Sequence, residues 1–328
     1  MTLHAHLTYP PDDETLAYLR RQLDDEIVVT VGEIVPEEAE VDFILVAGRP
    51  TEAQLLASPN LRALVVPWAG VPDPTRELMA NYPHIPIHNL HHNAVPVAET
   101  ALMLLLAAAK VTVPFDRSLR RDDWTIRYQR PSPSVLLAGK TALILGYGAI
   151  GGRIARLCRA LEMNVLAVRR HVSQTSDEFA QEIQPLAALP ALLPRAHALI
   201  ISLPHTPETD GLIGMDELKG LKRPSLLVNV GRGPIVQQQA LYEALRDGIL
   251  HAAGLDVWYN YPTDQPSRSH TPPADFPFHE LDNVVISPHR GGMTSETEHL
   301  RMAHTAALLN AAARGEPMPN QVDLQRGY

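Results

Sequence analysis

The segment Gly146-Tyr147-Gly148-Ala149-Ile150-Gly151 spaces three glycines as a dinucleotide would require. The first glycine permits a tight turn. The second lets a pyrophosphate approach the backbone, and the third lets a helix pack closely on the preceding strand. A helix starting inside the segment offers N–H groups and the positive end of its dipole to the anion. The spacing alone is weak, since a structural glycine turn has the same form. Here an apolar β-type run at 141–145 precedes it and a helical pattern follows, which is the context a cofactor site needs.

The next strand, 164–168, leads into Arg169 and Arg170. An NAD site usually has an acid at this tip to accept from the ribose hydroxyls. A guanidinium suits a 2′-phosphate instead, by charge and paired hydrogen bonds. NADP is therefore favoured and NAD is possible. If both arginines are merely solvated, NAD still binds, less tightly. The only cysteine, Cys158, falls in an Arg-rich apolar pattern and reads as a buried helical thiol rather than a nucleophile.

The elements that must position these residues follow an α/β pattern. Apolar runs at 27–31, 43–47 and 63–67 read as buried strands, with helical patterns at 13–22 and 51–57 between them. A polar stretch at 88–93 ends this series. A strong helix then starts near Pro96, and a second helical piece ends near Trp124. A second series has strands at 141–145, 164–168, 198–202, 226–230, 252–256 and 284–286, with helices after Gly148, Glu178, Asp216 and Gln239. Residues 261–278 read as a long Pro-rich loop, and 294–314 as a helix that could return to the first series. The expectation is two doubly wound parallel-sheet domains. A Rossmann-type cofactor domain, 96–294, is inserted into a flavodoxin-like substrate domain, 1–95 plus 295–328.

Charge and composition narrow the partners. The net charge is −9, which repels a phosphate backbone, so nucleic acid is not an expected partner. No run of 18 or more apolar residues appears, so no membrane span is expected. A single cysteine and an N-terminus without a basic-then-apolar leader fit a cytoplasmic location. No metal site is read in the sequence.

Further segments carry a resemblance along nearly the whole chain. They are Asn93-Ala94-Val95-Pro96-Val97-Ala98-Glu99, the run from Ile200 through Leu203-Pro204-His205 to Thr209, and Asn229-Val230-Gly231-Arg232-Gly233. Gly254-Leu255-Asp256-Val257-Trp258 and Ser287-Pro288-His289-Arg290-Gly291-Gly292 complete the set. In this order the chain resembles the D-2-hydroxyacid dehydrogenases, which transfer hydride between a nicotinamide and a 2-hydroxy or 2-keto acid.

The resemblance implies the roles. Arg232 would hold the substrate carboxylate and polarise the carbonyl. His289 would give the carbonyl oxygen its proton, since imidazole titrates near physiological pH. Backbone N–H groups of Trp68, Ala69 and Gly70 would anchor the carboxylate, and Asn93 would lie near the substrate as in the formate dehydrogenase branch. Asp256 would accept from the nicotinamide carboxamide. Leu203, Pro204, His205, Thr209, Val230, Gly231 and Gly291 would line the cofactor. Trp124 resembles an arm that makes such proteins homodimers, or is a core residue of one chain. Plainer readings stand beside these: a turn role for Arg232, a structural loop role for His289, a cap or surface charge for Asp256, and a turn or cap for Asn93. His91 and His92 read as exposed loop residues.

One position departs from the family. Tyr261, before Pro262, stands where the family has a Glu that pairs with the histidine, and where the formate branch has Gln. A carboxylate raises a histidine's pKa, whereas tyrosine orients the ring without a full charge. His289 is then expected to titrate lower than in relatives. Alternatively Asp264, Asp275 or Glu280 swings in, or the aromatic run Trp258-Tyr259-Asn260-Tyr261 marks a reshaped pocket with altered or lost chemistry. The expected function is reduction of a small 2-keto acid, with glyoxylate and hydroxypyruvate the simplest substrates. The rivals are a formate-type or other non-ketoacid dehydrogenase and a nucleotide-binding homologue without turnover.

Overall fold

The computed structural model describes residues 2–36 and 42–324. It divides into two units, Met1–Asn93 with Met293–Tyr328, and Ala94–Gly292. Positions 1, 37–41 and 325–328 of the expected substrate domain lie outside the described residues.

The first unit opens with β1 (Leu3–Leu7), α1 (Asp13–Arg21), β2 (Ile27–Val31), β3 (Phe43–Val46), α2 (Glu52–Leu55), β4 (Leu61–Val66), α3 (Asp73–Met79) and β5 (Ile87–Asn89). Asp12 caps α1 by accepting from the Thr15 N–H at 2.8 Å. Acids open that helix and Arg20 and Arg21 close it, as its dipole favours.

The second unit follows with α4 (Ala94–Ala109), α5 (Thr112–Leu119), β6 (Thr141–Leu145), α6 (Ala149–Ala160), β7 (Asn164–Val168), β8 (Glu182–Gln184), α7 (Leu189–Leu192) and β9 (Ala198–Ile201). Then come α8 (Met215–Gly220), β10 (Leu226–Asn229), α9 (Gln238–Arg246), β11 (Ala252–Leu255) and β12 (Val284–Ile286). The first unit resumes with α10 (Thr297–Ala313) and β13 (Gln321–Val322).

In the second unit the seven-stranded sheet has the order β12-β11-β10-β9-β6-β7-β8, and every pairing in it is parallel. Both faces are covered. Leu143 and Leu145 of β6 join one apolar cluster, and Ala142 and Ile144 join another. That explains why these strands read as continuous apolar runs rather than alternating ones. The chain reverses its direction of strand addition between β6 and β9, and the crevice at the carboxyl ends of such strands is where doubly wound sheets bind ligands.

The first unit's sheet runs β13-β5-β4-β3-β1-β2. It is parallel except for β13, which adds to β5 antiparallel as an edge strand.

Four strands, β1, β5, β8 and β13, are absent from the sequence expectation. In β1 and β5 the reason is histidine. His4 and His6 both bond the Thr30 hydroxyl at 2.9 Å, His6 also reaches the Gly32 carbonyl, and His88 reaches the Pro319 carbonyl at 2.8 Å. Hydrogen-bonded neutral imidazoles can occupy a core that a polarity pattern assigns to a loop. Burial pushes the His6 and His88 pKa values down, which keeps both rings neutral. The helix expected after Glu178 does not form; short β8 follows instead, and the first regular helix is α7. The Pro-rich loop contains two short 3-10 turns, Pro266–Ser269 and Phe278–Glu280.

Among the described residues no single helix is long and apolar enough to cross a membrane. Only the pair α4 and α5, bent by 65°, reaches that length together, and nine residues of α4 are buried.

Candidate active site

The turn after β6 behaves as its glycines require. Gly146 has φ +99°, in the left-handed region that suits glycine. A Cβ at Gly151 would lie 2.0 Å from the Gly146 carbonyl oxygen, so helix and turn touch with no room for a side chain. At Gly148, by contrast, a Cβ would meet nothing within 4 Å. That open backbone caps the twelve-residue helix α6, which starts at Ala149, leaving room for an anion at its N-terminus. The chain therefore fits a dinucleotide pyrophosphate here.

The Val168 carbonyl accepts from both Gly146 and Tyr147 N–H, at 3.1 and 3.0 Å, which fastens the turn beside the arginines. Tyr147 donates its hydroxyl to Asp177 (2.9 and 2.8 Å) and is buried, so the turn is also tied to the loop after β7. Partial burial opposes ionisation of Asp177. The hydrogen bonds from Ala180, Tyr147 and Phe179 and the charge of Arg169 outweigh it and hold its pKa low. The two arginines differ. Arg169 is exposed at the strand tip. Arg170 is more buried and pairs with Glu208 at 2.8 Å, so it is not a simply solvated charge.

Three loops leave the carboxyl ends of adjacent strands in close register. A Cβ on Gly146 would press on Ser202 and Leu203, and one on Gly231 would sit 2.6 Å from the Leu203 carbonyl oxygen. Val230 is buried below them, its N–H donating to Ile201. Pro204 and His205 extend the middle loop. His205 pairs with Asp210 at 2.8 Å. Thr209 is turned inward, its hydroxyl bonded to Pro204 and to the Thr206 N–H. Thr209 thus shapes this loop from within.

The segment after β10 presents Arg232. The Asn229 side chain accepts from Gly231 N–H and donates to the Arg232 carbonyl, both at 3.0 Å. Gly233 is pressed against Trp258, 2.2 Å from a notional Cβ to its carbonyl oxygen, so only glycine fits beside the arginine.

His289 faces Tyr261. The tyrosine oxygen lies 2.8 Å from Nδ1 of His289 and accepts from the Trp258 N–H at 3.1 Å. His289 has φ +56°, a left-handed conformation that costs a non-glycine residue about 1–2 kcal/mol. Asp256 holds the loop that imposes it. This buried carboxylate accepts from Ser287 hydroxyl (2.6 Å), Arg290 N–H (3.0 Å) and Gly291 N–H (2.9 Å), on both sides of the histidine. Asp256 is therefore neither a helix cap nor a surface charge.

The electrostatics lean one way. Crowding by protein lowers the His289 pKa, the Arg232 charge lowers it further, and Asp256 opposes them. Tyr261 is raised, chiefly by partial burial, and stays a neutral phenol. Among the described residues no carboxylate bonds the histidine. Asp264 binds Ser267, Asp275 binds Asn260 and Gln238, and Glu280 neighbours His279.

Two members of the aromatic run are anchored away from the histidine. Trp258 is buried, with its indole N–H on the Ser287 carbonyl, and the Tyr259 hydroxyl donates to the Val236 carbonyl. Only Tyr261 turns toward the histidine. Cys158 is buried and its thiol is pushed up to about 12, so it is inert as a nucleophile.

Trp68, Ala69, Gly70 and Asn93 belong to the other unit. The Trp68 ring lies over Gly48, where a Cβ would come within 2.1 Å of it. Asn89 donates to the Ala69 carbonyl at 2.6 Å, which fixes the loop after β4. Among the described residues Asn93 Oδ1 and His92 Nδ1 are buried without a hydrogen-bond partner. The two neighbouring histidines are not exposed. His92 is buried and its pKa falls to about 4, mainly through desolvation, and half-buried His91 bonds Asn89. Their place next to a polar stretch hid this.

Comparison with known proteins agrees with the geometry. Residues 102–291 match the family model described as D-isomer specific 2-hydroxyacid dehydrogenase, NAD binding domain. The chain belongs to this family. It is 32% identical over 322 residues to a D-3-phosphoglycerate dehydrogenase of Archaeoglobus fulgidus, covering 96% of this chain but only 58% of that one. It is 32% identical over 316 residues to a glyoxylate/hydroxypyruvate reductase B of Enterobacter sp. strain 638, covering 92% of each. Among solved structures, a D-isomer specific 2-hydroxyacid dehydrogenase of Xanthobacter autotrophicus Py2, in complex with NADPH and MES, superposes with a TM-score of 0.78 at 25% identity, covering 100% of this chain and 99% of that one. This family membership makes the second unit an NAD-binding domain of the D-isomer specific 2-hydroxyacid dehydrogenase type.

Proposed function

We propose that the protein reduces a small 2-keto acid, glyoxylate or hydroxypyruvate being the simplest, with NADPH preferred over NADH. The observation that carries this reading is the His289–Tyr261 pair beside Arg232. The turn Gly146–Gly151 and the start of α6 would hold the pyrophosphate, with Arg169 toward the 2′-phosphate. Bound there, a reduced nicotinamide supplies the hydride for C2 of the acid.

The chain's own residues do the rest. Arg232 pairs with the substrate carboxylate and draws electron density from the carbonyl. His289 gives a proton from Nε2 to the carbonyl oxygen as negative charge develops on it. Tyr261 has two lone pairs, one taken by the Trp258 N–H and one available to Nδ1–H. That bond is the same before and after Nε2 loses its proton, so the ring is held without rearrangement. The substrate contacts of Trp68, Ala69, Gly70 and Asn93, and the carboxamide role of Asp256, are part of this reading and rest on the family resemblance.

Two finer points belong to the same reading. Trp124 is 58% exposed and lines a surface hollow of about 310 Å³ with Phe115, Leu119 and Ile126, so it is not a core residue and suits a homodimer arm. A cytoplasmic location suits the lone reduced thiol of Cys158.

Oxidation of NADPH and NADH by the purified protein across a panel of 2-keto acids tests the proposal. Turnover is expected with NADPH, falling about 10²- to 10⁴-fold in His289→Ala. No turnover on any keto acid with either cofactor, despite measurable binding, refutes it. Formate-type chemistry keeps one specific observation in its favour, the orphaned Asn93 Oδ1. It predicts NAD(P)⁺ reduction by formate without keto acid turnover.

A further inference from the structure

The ion pair between Arg170 and Glu208 is placed where it can act on cofactor choice. In the sheet, β6 lies between β9 and β7. Arg170 stands two residues beyond the end of β7, and Glu208 lies in the loop after β9. Their 2.8 Å contact therefore joins the loops flanking β6, across the strand end from which the glycine turn leaves. Both anchors are firm. Thr209, next to Glu208, is buried and bonded to Pro204 and Thr206. Val168, two residues before Arg170, accepts both N–H groups of the turn.

Each arginine of the pair has a carboxylate near it. Arg169 acts on Asp177, which is fixed by Tyr147, Phe179 and Ala180, while Arg170 is neutralised by Glu208. The arginine pair is thus not the strongly cationic cradle that its sequence suggests. Glu208 is 71% exposed at its side chain, so the pair is weak enough for a phosphate dianion to compete for the guanidinium.

We propose that Glu208 is a cofactor-discriminating residue, competing with a 2′-phosphate for Arg170 and so tempering the preference for NADP over NAD. The inference rests on the NADP reading of the arginine pair. It is tested by calorimetric binding of NADP⁺ and NAD⁺ to the wild type, Glu208→Gln, Arg170→Ala and the double variant. Glu208→Gln should tighten NADP⁺ binding about fivefold and change NAD⁺ binding less than twofold, and Arg170→Ala should abolish that gain. Unchanged or weaker NADP⁺ binding in Glu208→Gln overturns the inference, as does an equal gain for both dinucleotides. Failure of the NADP preference itself is read separately, from NAD⁺ binding more tightly than NADP⁺ in the wild type.

Discussion

At the residue scale, the proposed chemistry turns on His289, which bonds a neutral tyrosine where the family resemblance implies a carboxylate. The motifs around Arg232 and His289 were legible because their glycines and proline fix short turns that few other sequences make. Tyr261 was legible as a departure, and only the structure decided that it bonds Nδ1 in place of Asp264, Asp275 or Glu280. The inward turn of Thr209 was not legible, since a Thr after Pro-Glu carries no mark of burial. Arg232 gives a residue-level prediction. Its role needs a planar, forked cation, and lysine offers only a point charge. Arg232→Lys should lower kcat/KM for keto acid reduction about 10²- to 10³-fold while dinucleotide affinity stays near the wild-type value. Steady-state kinetics with direct cofactor titration checks this, and near-normal kcat/KM would remove Arg232 from the substrate.

At the element scale, the strands of the second unit were read within a residue or so, because parallel strands covered on both faces are uninterrupted apolar runs. The strands β1 and β5 were lost to their histidines, whose burial depends on hydrogen bonds to Thr30 and Pro319 from distant segments. No local pattern encodes such partners. Short β8 at the sheet edge was lost for lack of length. The glycine turn yields a paired prediction. A methyl at Gly151 would collide with backbone, the Gly146 carbonyl, which cannot yield without moving α6 off β6. Gly151→Ala should lower the melting temperature by several degrees, as about 1–3 kcal/mol of overpacking does. A methyl at Gly148 meets nothing in the protein and should leave stability almost unchanged, yet weaken dinucleotide binding about tenfold or more by occupying the space of the pyrophosphate. Thermal melts with and without NADP⁺ distinguish the two. Equal stability for both variants would mean that the helix–strand contact is softer than its geometry indicates.

At the scale of the whole molecule, the fold was legible as two α/β units because the strand and helix patterns repeat in sequence. The antiparallel edge β13 was not, since two residues cannot establish a pattern. The surface around Trp124 bears on assembly. The proposed homodimer predicts twice the chain mass in sedimentation equilibrium for the wild type and a monomer for Trp124→Glu, and an equal mass for both would assign the hollow another purpose. The pH dependence of the proposed reaction reports most directly on the neutral histidine partner. On the proposed mechanism reduction requires protonated His289, so its rate falls as pH rises through the pKa of that residue. Because crowding and Arg232 set this pKa below the ordinary imidazole value, the fall comes early. The decisive measurement is the pH profile of kcat/KM for keto acid reduction in the wild type and in Tyr261→Glu. The account predicts that a carboxylate at position 261 moves the falling limb to higher pH by about one unit or more. Coincident profiles would contradict it, because the pair would then not govern the proton that completes the reaction.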